Sequence, residues 1–88
     1  MTDLPSDLTP LNRHSLMSLE QWLRESGAKP NNKNPSEWIW EFSQWTTHIT
    51  MERDELRVTW LKEGLRSQCY FSYRLMRKDV EEAIRQGP

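Results

Sequence analysis

The amino-acid sequence predicts an α+β domain: an N-terminal helix, a four-stranded antiparallel meander and a C-terminal helix, with both helices on one face of the sheet. Three observations lead to this fold class. Apolar residues recur every three or four positions near both ends of the chain, which is typical of amphipathic helices. Between residues 37 and 75 they alternate with polar residues, which is typical of half-buried strands. Five tryptophans in 88 residues supply the apolar area that so small a core needs.

The first element follows a segment that contains prolines but no apolar periodicity. We expect residues 1–14 to form an extended N-terminal arm and residues 15–88 to form a single α+β domain. Ser15 is a preferred N-cap residue and Gly27 a preferred C-terminal stop, so the first helix should lie between them. The apolar positions of this helix are Leu16, Leu19, Trp22 and Leu23. The polar segment 29–35 that follows is predicted to be a loop.

Two alternating segments, residues 37–42 and 45–51, then predict a β-hairpin. In each segment, large apolar residues recur at alternate positions and therefore share one face of the strand. The two-residue link between the segments sets the register. In that register the apolar faces of the two strands coincide, as a hairpin requires. The predicted opposite pairs are Phe42–Trp45, Trp40–Thr47 and Trp38–Ile49.

Two further strands and a helix complete the predicted fold. Residues 55–62 and 67–75 alternate with the same period and extend the meander. Residues 77–86 are rich in helix formers, and Gly87 and Pro88 end the helix. Its apolar stripe is Met76, Val80, Ala83 and Ile84.

Composition and charge argue against several classes of function. Twelve lysines and arginines against thirteen acidic residues give a net charge of −1, which excludes general electrostatic binding to nucleic acid or anionic membranes. One cysteine excludes an internal disulfide, and with two histidines it argues against a structural zinc site. No apolar run approaches the roughly 20 residues that span a bilayer, and the N-terminus does not resemble a signal peptide. We therefore expect a cytoplasmic protein without metal or cofactor.

The residues that could catalyse a reaction are few, and their predicted places keep them apart. Cys69 points into the predicted core, whereas His48 points to the opposite face of the sheet, and a lone buried cysteine is usually a small hydrophobic residue. Glu37 and Glu41 share the open face, which offers no cleft to shift the pKa of a carboxyl group. We therefore expect no enzymatic activity.

The face of the sheet opposite the tryptophans is predicted to be solvent-exposed and mostly polar. Its exceptions and their neighbours form a first candidate surface: Ile39, His48, Arg57, Leu61 and Tyr70. The structural alternative is an ordinary solvated sheet face with isolated apolar residues. If the strand register brings Ile39, Leu61 and Tyr70 together, the mixture is typical of protein interfaces, and we expect a module that binds and modulates a larger protein partner. Two alternatives stay open. One is RNA binding, for which Tyr70 offers the only stacking ring on this face, and the other is a weak homodimer through an edge strand.

Two motifs near the ends of the chain carry a resemblance to a known family. The opening motif, in residues 9–26, consists of Pro10-Leu11, His14 and Glu20-x-Trp22-Leu23. The ending motif, in residues 71–88, consists of Phe71-x-Tyr73-x-Leu75, Arg77-x-Asp79-Val80-Glu81 and Gly87-Pro88. In these motifs the chain resembles, from Thr9 to Pro88, a family of small proteins of cyanobacteria and photosynthetic relatives that is described as a domain of unknown function. The resemblance implies a cytosolic protein without known catalytic residues.

Polar residues of these motifs, with the neighbouring Arg74, form a second candidate surface: His14, Arg74, Arg77 and Asp79. The alternative is structural, with Asp79 and Glu81 serving the N-terminus of the last helix and His14 holding the arm. The resemblance also implies a serine where this chain has Met76. The C-terminal helix is therefore expected to lack an N-cap side chain.

Overall fold

The computed structural model describes residues 4–88, which form an α+β fold with two α-helices and one antiparallel sheet. Residues 1–3 of the predicted arm lie outside the described residues. The elements are a 3-10 turn (Leu11–Arg13), α1 (Leu16–Ser26), β1 (Lys29–Asn31), β2 (Asn34–Glu41), β3 (Thr46–Met51), β4 (Glu55–Lys62), β5 (Leu65–Ser72) and α2 (Arg77–Gln86). Each strand pairs with the next along the chain, so the sheet is a meander in the order β1 to β5. The predicted α+β class is confirmed.

The prediction of four strands is wrong, because the segment predicted to be a loop, residues 29–35, contains β1 and the start of β2. β1 pairs antiparallel with β2, and its register shifts after Pro30. The Asn31 side-chain oxygen accepts a hydrogen bond from the backbone N–H of Lys33 at 3.0 Å, which supports the tight turn between the strands. A three-residue edge strand tolerates proline and polar side chains, so its sequence shows no apolar alternation.

The predicted bounds of the last strand, 67–75, are also wrong. Glu63 and Gly64 form a tight two-residue turn with φ of 51° and 79°, the conformation that suits a β-hairpin. Pairing with β4 therefore starts at Leu65. The strand ends at Ser72, whose carbonyl accepts a hydrogen bond from the N–H of Leu75 at 3.1 Å and turns the chain toward α2.

Helix α1 has both of its predicted ends. The Ser15 hydroxyl accepts a hydrogen bond from the N–H of Ser18 at 3.1 Å, and Gly27 takes the left-handed conformation with φ of 108°. The prediction that Leu16 faces the core is wrong, because Leu16 is exposed and Ser18 occupies the buried position in the first turn. The apolar positions that α1 does bury are Trp22 and Leu23, with Leu19 packed beside them.

The predicted register of the central hairpin is confirmed. Trp38 lies opposite Ile49 and Trp40 opposite Thr47, and the N–H of Phe42 donates to the carbonyl of Trp45 at 2.9 Å. The same face of the sheet joins residues of both helices in one buried cluster. Its members are Leu11, Trp22, Leu23, Ala28, Trp38, Trp40, Ile49, Leu56, Val58, Trp60, Val80 and Ile84.

Glu81 connects the two helices. One of its carboxylate oxygens accepts a hydrogen bond from the indole N–H of Trp22 at 2.6 Å, and the other lies 3.3 Å from Nε of Arg85. The guanidinium of Arg85 lies 4.9 Å from the centre of a Trp40 ring, within the range of a cation–π contact. Glu81 therefore joins α1 to α2, a role that its place near the start of α2 did not predict.

The N-terminal segment caps α2 with its own backbone. The carbonyl of Thr9 accepts from the N–H of Arg77 at 3.1 Å, and the carbonyl of Asp7 accepts from the N–H of Lys78 at 2.8 Å. A helix leaves its first N–H groups without partners inside the helix, and these two contacts supply them. Leu11, which is 1% exposed, anchors the segment in the core. Within residues 4–88, Met76 takes the N-cap position without a side-chain hydrogen bond, as expected.

Met76→Ser is expected to raise the free energy of unfolding by about 0.5–1 kcal/mol. Met76 already has the extended backbone conformation of an N-cap residue, and a serine hydroxyl there can accept the third N–H of the helix. The gain is modest because the arm already engages the first two N–H groups. Urea denaturation of this variant beside Met76→Ala, which removes the same side chain without adding a hydroxyl, measures the cap alone. Equal stability of the two variants contradicts this account of the helix start.

Candidate interaction surface

All five residues of the first candidate surface lie on the sheet face opposite the tryptophans. The strand register places His48 between Ile39 and Thr59, Arg57 between Thr50 and Tyr70, and Leu61 between Thr46 and Arg66. Residues directly opposite one another on paired strands point to the same side of the sheet. We call this side the open face.

The apolar members of the open face do not adjoin. Ile39 and Tyr70 lie on β2 and β5, three strand spacings apart, which is about 14 Å. Leu61 and Tyr70 lie on neighbouring strands but four residues apart along them, with Gln68 and Thr59 between. Tyr70 is 50% exposed and Leu61 39%, whereas Ile39 is half-buried. The open face therefore carries separate apolar and aromatic side chains in polar surroundings.

Glu37 is the centre of a polar cluster on the open face. One carboxylate oxygen lies 2.9 Å from Nδ2 of Asn31, which donates to it, and 3.0 Å from Nδ1 of His48. The hydrogen bond from Asn31 is the largest cause that lowers the pKa of Glu37 below its ordinary value. Burial opposes it, and the contact with His48 lowers the pKa further. The cluster fixes the orientation of the His48 ring.

Glu37→Gln is expected to destabilise the protein by less than about 1 kcal/mol at neutral pH and by less still in acid. The folded-state pKa of Glu37 is lowered, so its charge stabilises the fold above the unfolded-state pKa of about 4.3. That contribution is lost as the pH falls through the lowered folded-state pKa.

Urea unfolding of wild type and Glu37→Gln at about pH 7 and about pH 3 measures this dependence. Glu41→Gln, at an exposed position of the same strand, is the control. A stability difference for Glu37→Gln that stays the same at both pH values contradicts the account.

Two further polar contacts shape the half of the open face nearest β5. Nε of Arg57 lies 3.1 Å from a carboxylate oxygen of Glu52, and Nε2 of Gln68 donates to the hydroxyl of Thr59 at 3.1 Å. The open face also has a shallow depression of about 260 Å³. It is lined by Glu37, His48, Thr50, Arg57, Thr59, Leu61 and Arg66. Most of the hydrogen-bonding groups here have partners within the chain, so the face is ordered before it meets any ligand.

Two members of the second candidate surface, His14 and Arg77, lie close together and contact other residues of the chain. His14 is 8% exposed; its Nδ1 lies 3.0 Å from the carbonyl of Pro10 and its Nε2 lies 3.3 Å from Nη1 of Arg77. The same Nη1 donates to the carbonyl of Pro5 at 3.1 Å. These contacts hold the N-terminal segment against α2. The other two members, Arg74 and Asp79, are exposed.

The reactive side chains do not converge. Cys69 lies opposite Val58 and packs against the core, while His48 lies on the open face. The pKa of Tyr73 is raised, first by burial and then by the carboxylates of the β3–β4 turn and the start of β4. Across residues 4–88, no three histidine, cysteine, aspartate or glutamate side chains gather closely enough to hold a metal ion. Neither helix of the described chain is long and apolar enough to cross a membrane.

Two contributors to the open face were not predicted from the sequence. Asn31, which donates to Glu37, belongs to the segment that was predicted to be a loop. Arg66, which lies opposite Leu61, precedes the predicted start of the last strand. The Glu63-Gly64 pair is the signal that could have located Arg66, because glycine in a two-residue turn predicts strands that reach both of its sides.

A comparison with known families gives a match over most of the chain. The sequence model of a family described as "Protein of unknown function (DUF3143)" matches residues 26–87. The matched region contains the whole sheet and α2 and nearly all of the ending motif, whereas the opening motif lies before it. Searches of the curated proteins and of the solved structures found no significant match.

Proposed function

The chain belongs to the DUF3143 family, and from that premise we propose that it is a non-catalytic module that binds a larger protein and modulates it as a regulator, inhibitor or assembly factor. We place its action in the cytoplasm of a cyanobacterium or a photosynthetic relative. The observation that carries the proposal is the exposure of Tyr70, which lies directly opposite Arg57, and of Leu61 farther along the same face. Tyrosine and arginine are enriched at protein interfaces and among the residues that dominate binding energy.

The proposal takes both helices to lie on the tryptophan side of the sheet, which leaves the open face free. The contacts of the rings support this arrangement. The indole N–H of Trp60 donates to the carbonyl of Ile84 in α2 at 3.3 Å. The guanidinium of Arg24, on α1, lies 5.4 Å from the centre of a Trp38 ring. Each helix therefore has a direct contact with a ring of the tryptophan side.

The polar surroundings of Tyr70 fit a protein partner of the transient kind. Interfaces of this kind are about as polar as the rest of a protein surface, and their binding energy comes from a few anchors in a hydrogen-bonded rim. Tyr70 and Leu61 are the exposed anchors, and the Glu37–His48 and Arg57–Glu52 pairs supply the rim. Because these pairs are already formed in the free protein, binding of a partner loses little side-chain entropy in ordering them.

RNA binding is the weaker alternative. Single-stranded RNA binds to sheets through rows of aromatic rings and unpaired cations. On the open face of the described strands the aromatic rings are those of Tyr70 and His48, and His48 is bound to Glu37; the tryptophans of β2 and β4 lie on the buried side. Arg57 is paired with Glu52. We therefore treat RNA as an outcome of the test below.

The test is capture of partners by the tagged full chain from native lysate, with and without nuclease. We expect one stoichiometric protein partner that survives nuclease, and an affinity at least about tenfold weaker for Tyr70→Ala. Met17→Ala, which truncates an exposed side chain on α1, is the matched control and should bind as wild type does. Partners that vanish with nuclease favour RNA, and equal binding by Tyr70→Ala contradicts the assignment to the open face.

A further inference from the structure

β5 is an unprotected edge of the sheet. In residues 4–88 it pairs with β4 on one side and with no strand on the other. Natural proteins usually protect such edges with lysine, proline, a bulge or a very short strand. β5 has eight residues, a continuous register and one charged side chain, Arg66, with neither lysine nor proline. The strand is therefore a template for pairing with another extended chain.

The alternation of hydrogen bonds identifies the backbone groups on this edge. The two-residue turn at Glu63-Gly64 makes Lys62 and Leu65 a hydrogen-bonded pair, and such pairs then recur at every second residue. Leu65, Ser67, Cys69 and Phe71 therefore direct their N–H and C=O groups to β4. The outward groups belong to Arg66, Gln68, Tyr70 and Ser72.

The contact that closes the neighbouring β3–β4 turn gives the same alternation independently. The N–H of Glu52 donates to the carbonyl of Glu55 at 3.1 Å. The odd-numbered residues of β4 therefore bond to β3, and the even-numbered ones bond to β5.

The side chains of β5 are complementary to those of a second β5 running antiparallel. Within the strands, the most exposed large hydrophobic residues are Leu65, at 73%, and Tyr70, at 50%. A two-fold axis at Gln68 sets Leu65 opposite Phe71 of the second copy and Arg66 opposite its Tyr70. These are aliphatic–aromatic and cation–π pairs, and the symmetry forms each of them twice.

Other registers of the two strands are less complementary. An axis at Cys69 sets Arg66 opposite Ser72 of the second copy and leaves Arg66 without an aromatic partner. An axis at Tyr70 sets Arg66 opposite Arg74, so that like charges meet. The self-complementary register at Gln68 is the reason to assign the edge to a second copy and not to an unrelated strand.

We propose that two copies of this chain pair antiparallel through β5, with Gln68 on the two-fold axis. About six backbone hydrogen bonds then join the copies and make one continuous ten-stranded sheet. Because the outward residues of β5 carry their side chains on the open face, the open faces of the two copies become continuous. This proposal shares Tyr70 with the proposed function but has a different partner, a second copy of the chain, so ultracentrifugation of the purified chain alone tests it separately.

Charges introduced at the two-fold axis test the proposal. Gln68→Lys places two ammonium groups opposite each other, and Gln68→Glu places two carboxylates opposite each other. Each variant should dimerise at least about tenfold more weakly than wild type, because like charges face each other across the axis. An equimolar mixture of the two variants should recover dimers, since the opposite charges then meet. Gln44→Lys, at an exposed turn position outside β5, is the control and should behave as wild type.

The measurement is analytical ultracentrifugation from about 10 μM to about 1 mM, a range that detects a dimer of modest affinity. Circular dichroism of each variant checks the fold, which the variants should keep because the exposed Gln68 side chain gives up only its hydrogen bonds with Thr59 and Tyr70 on the surface of the sheet. A wild type that stays at the monomer mass of 10.6 kDa throughout overturns the proposal. Dimers that persist in both variants also overturn it, and a mixture that stays monomeric overturns the placement of Gln68 on the axis.

Discussion

Trp38→Ala is expected to lower the free energy of unfolding by about 3–5 kcal/mol, the largest effect of any substitution considered. Trp38 is 2% exposed and is the largest of the fully buried side chains. It lies opposite Ile49 on β3 and Pro30 on β1, and Arg24 covers one of its rings. Removal of the indole leaves a cavity beneath both strands that the surrounding backbone cannot fill.

Urea denaturation followed by circular dichroism measures this loss. Tyr70→Ala is the matched control, because it truncates an aromatic ring on the open face and should cost about 0.5 kcal/mol. If Trp38→Ala does not fold, Trp38→Phe keeps part of the ring and should cost less, which still gives a measurable order. A loss below about 1 kcal/mol for Trp38→Ala contradicts the placement of this ring at the centre of the core.

Leu11→Ala is expected to cost about 2–5 kcal/mol, although Leu11 precedes both helices and the sheet. Its side chain is 1% exposed within the core cluster. Its N–H donates to the carbonyl of Leu75 at 2.9 Å, next to the two carbonyls that cap α2. Loss of this anchor therefore creates a cavity and also weakens the cap of the last helix.

Hydrogen exchange separates these two effects of Leu11→Ala. The amides of Arg77 and Lys78, which donate to the N-terminal segment, should exchange faster by a larger factor than the amides of β3. Leu8→Ala, which truncates an exposed leucine of the same segment, is the control and should change stability by no more than about 0.5 kcal/mol. Uniform acceleration over the whole chain contradicts a local role of the segment as the cap of α2.

The sequence predicts most of the fold where side-chain period and capping chemistry agree. The hairpin register followed from the alternation around Trp38 and Trp40, and both ends of α1 followed from Ser15 and Gly27. It could not predict β1, because an edge strand such as Lys29–Asn31 needs no apolar face. The sequence could not predict the cap of α2 either, since its hydrogen bonds use backbone carbonyls, which every residue has.

The sequence predicts the membership of the open face better than its internal contacts. Alternation alone placed Ile39, His48, Arg57, Leu61 and Tyr70 on one side of the sheet, which the register bears out. It could not place Asn31 beside Glu37, because that contact requires the strand it did not predict. His14 and Arg77 were candidates for a surface, but the fold turns both toward the N-terminal segment, and only tertiary contacts decide this.

The central claim is that the open face binds a protein, and site-specific photo-crosslinking in cells tests it most directly. A photoreactive phenylalanine analogue in place of Tyr70 reports what lies against the exposed anchor of the proposed surface on β5, and the same analogue in place of Met17 reports what lies against the exposed side of α1. We predict at position 70 one discrete protein adduct of a larger partner, distinct in mass from an adduct between two copies of this chain, and none of comparable yield at position 17. No adduct at position 70, or the same adducts at both positions, contradicts the account.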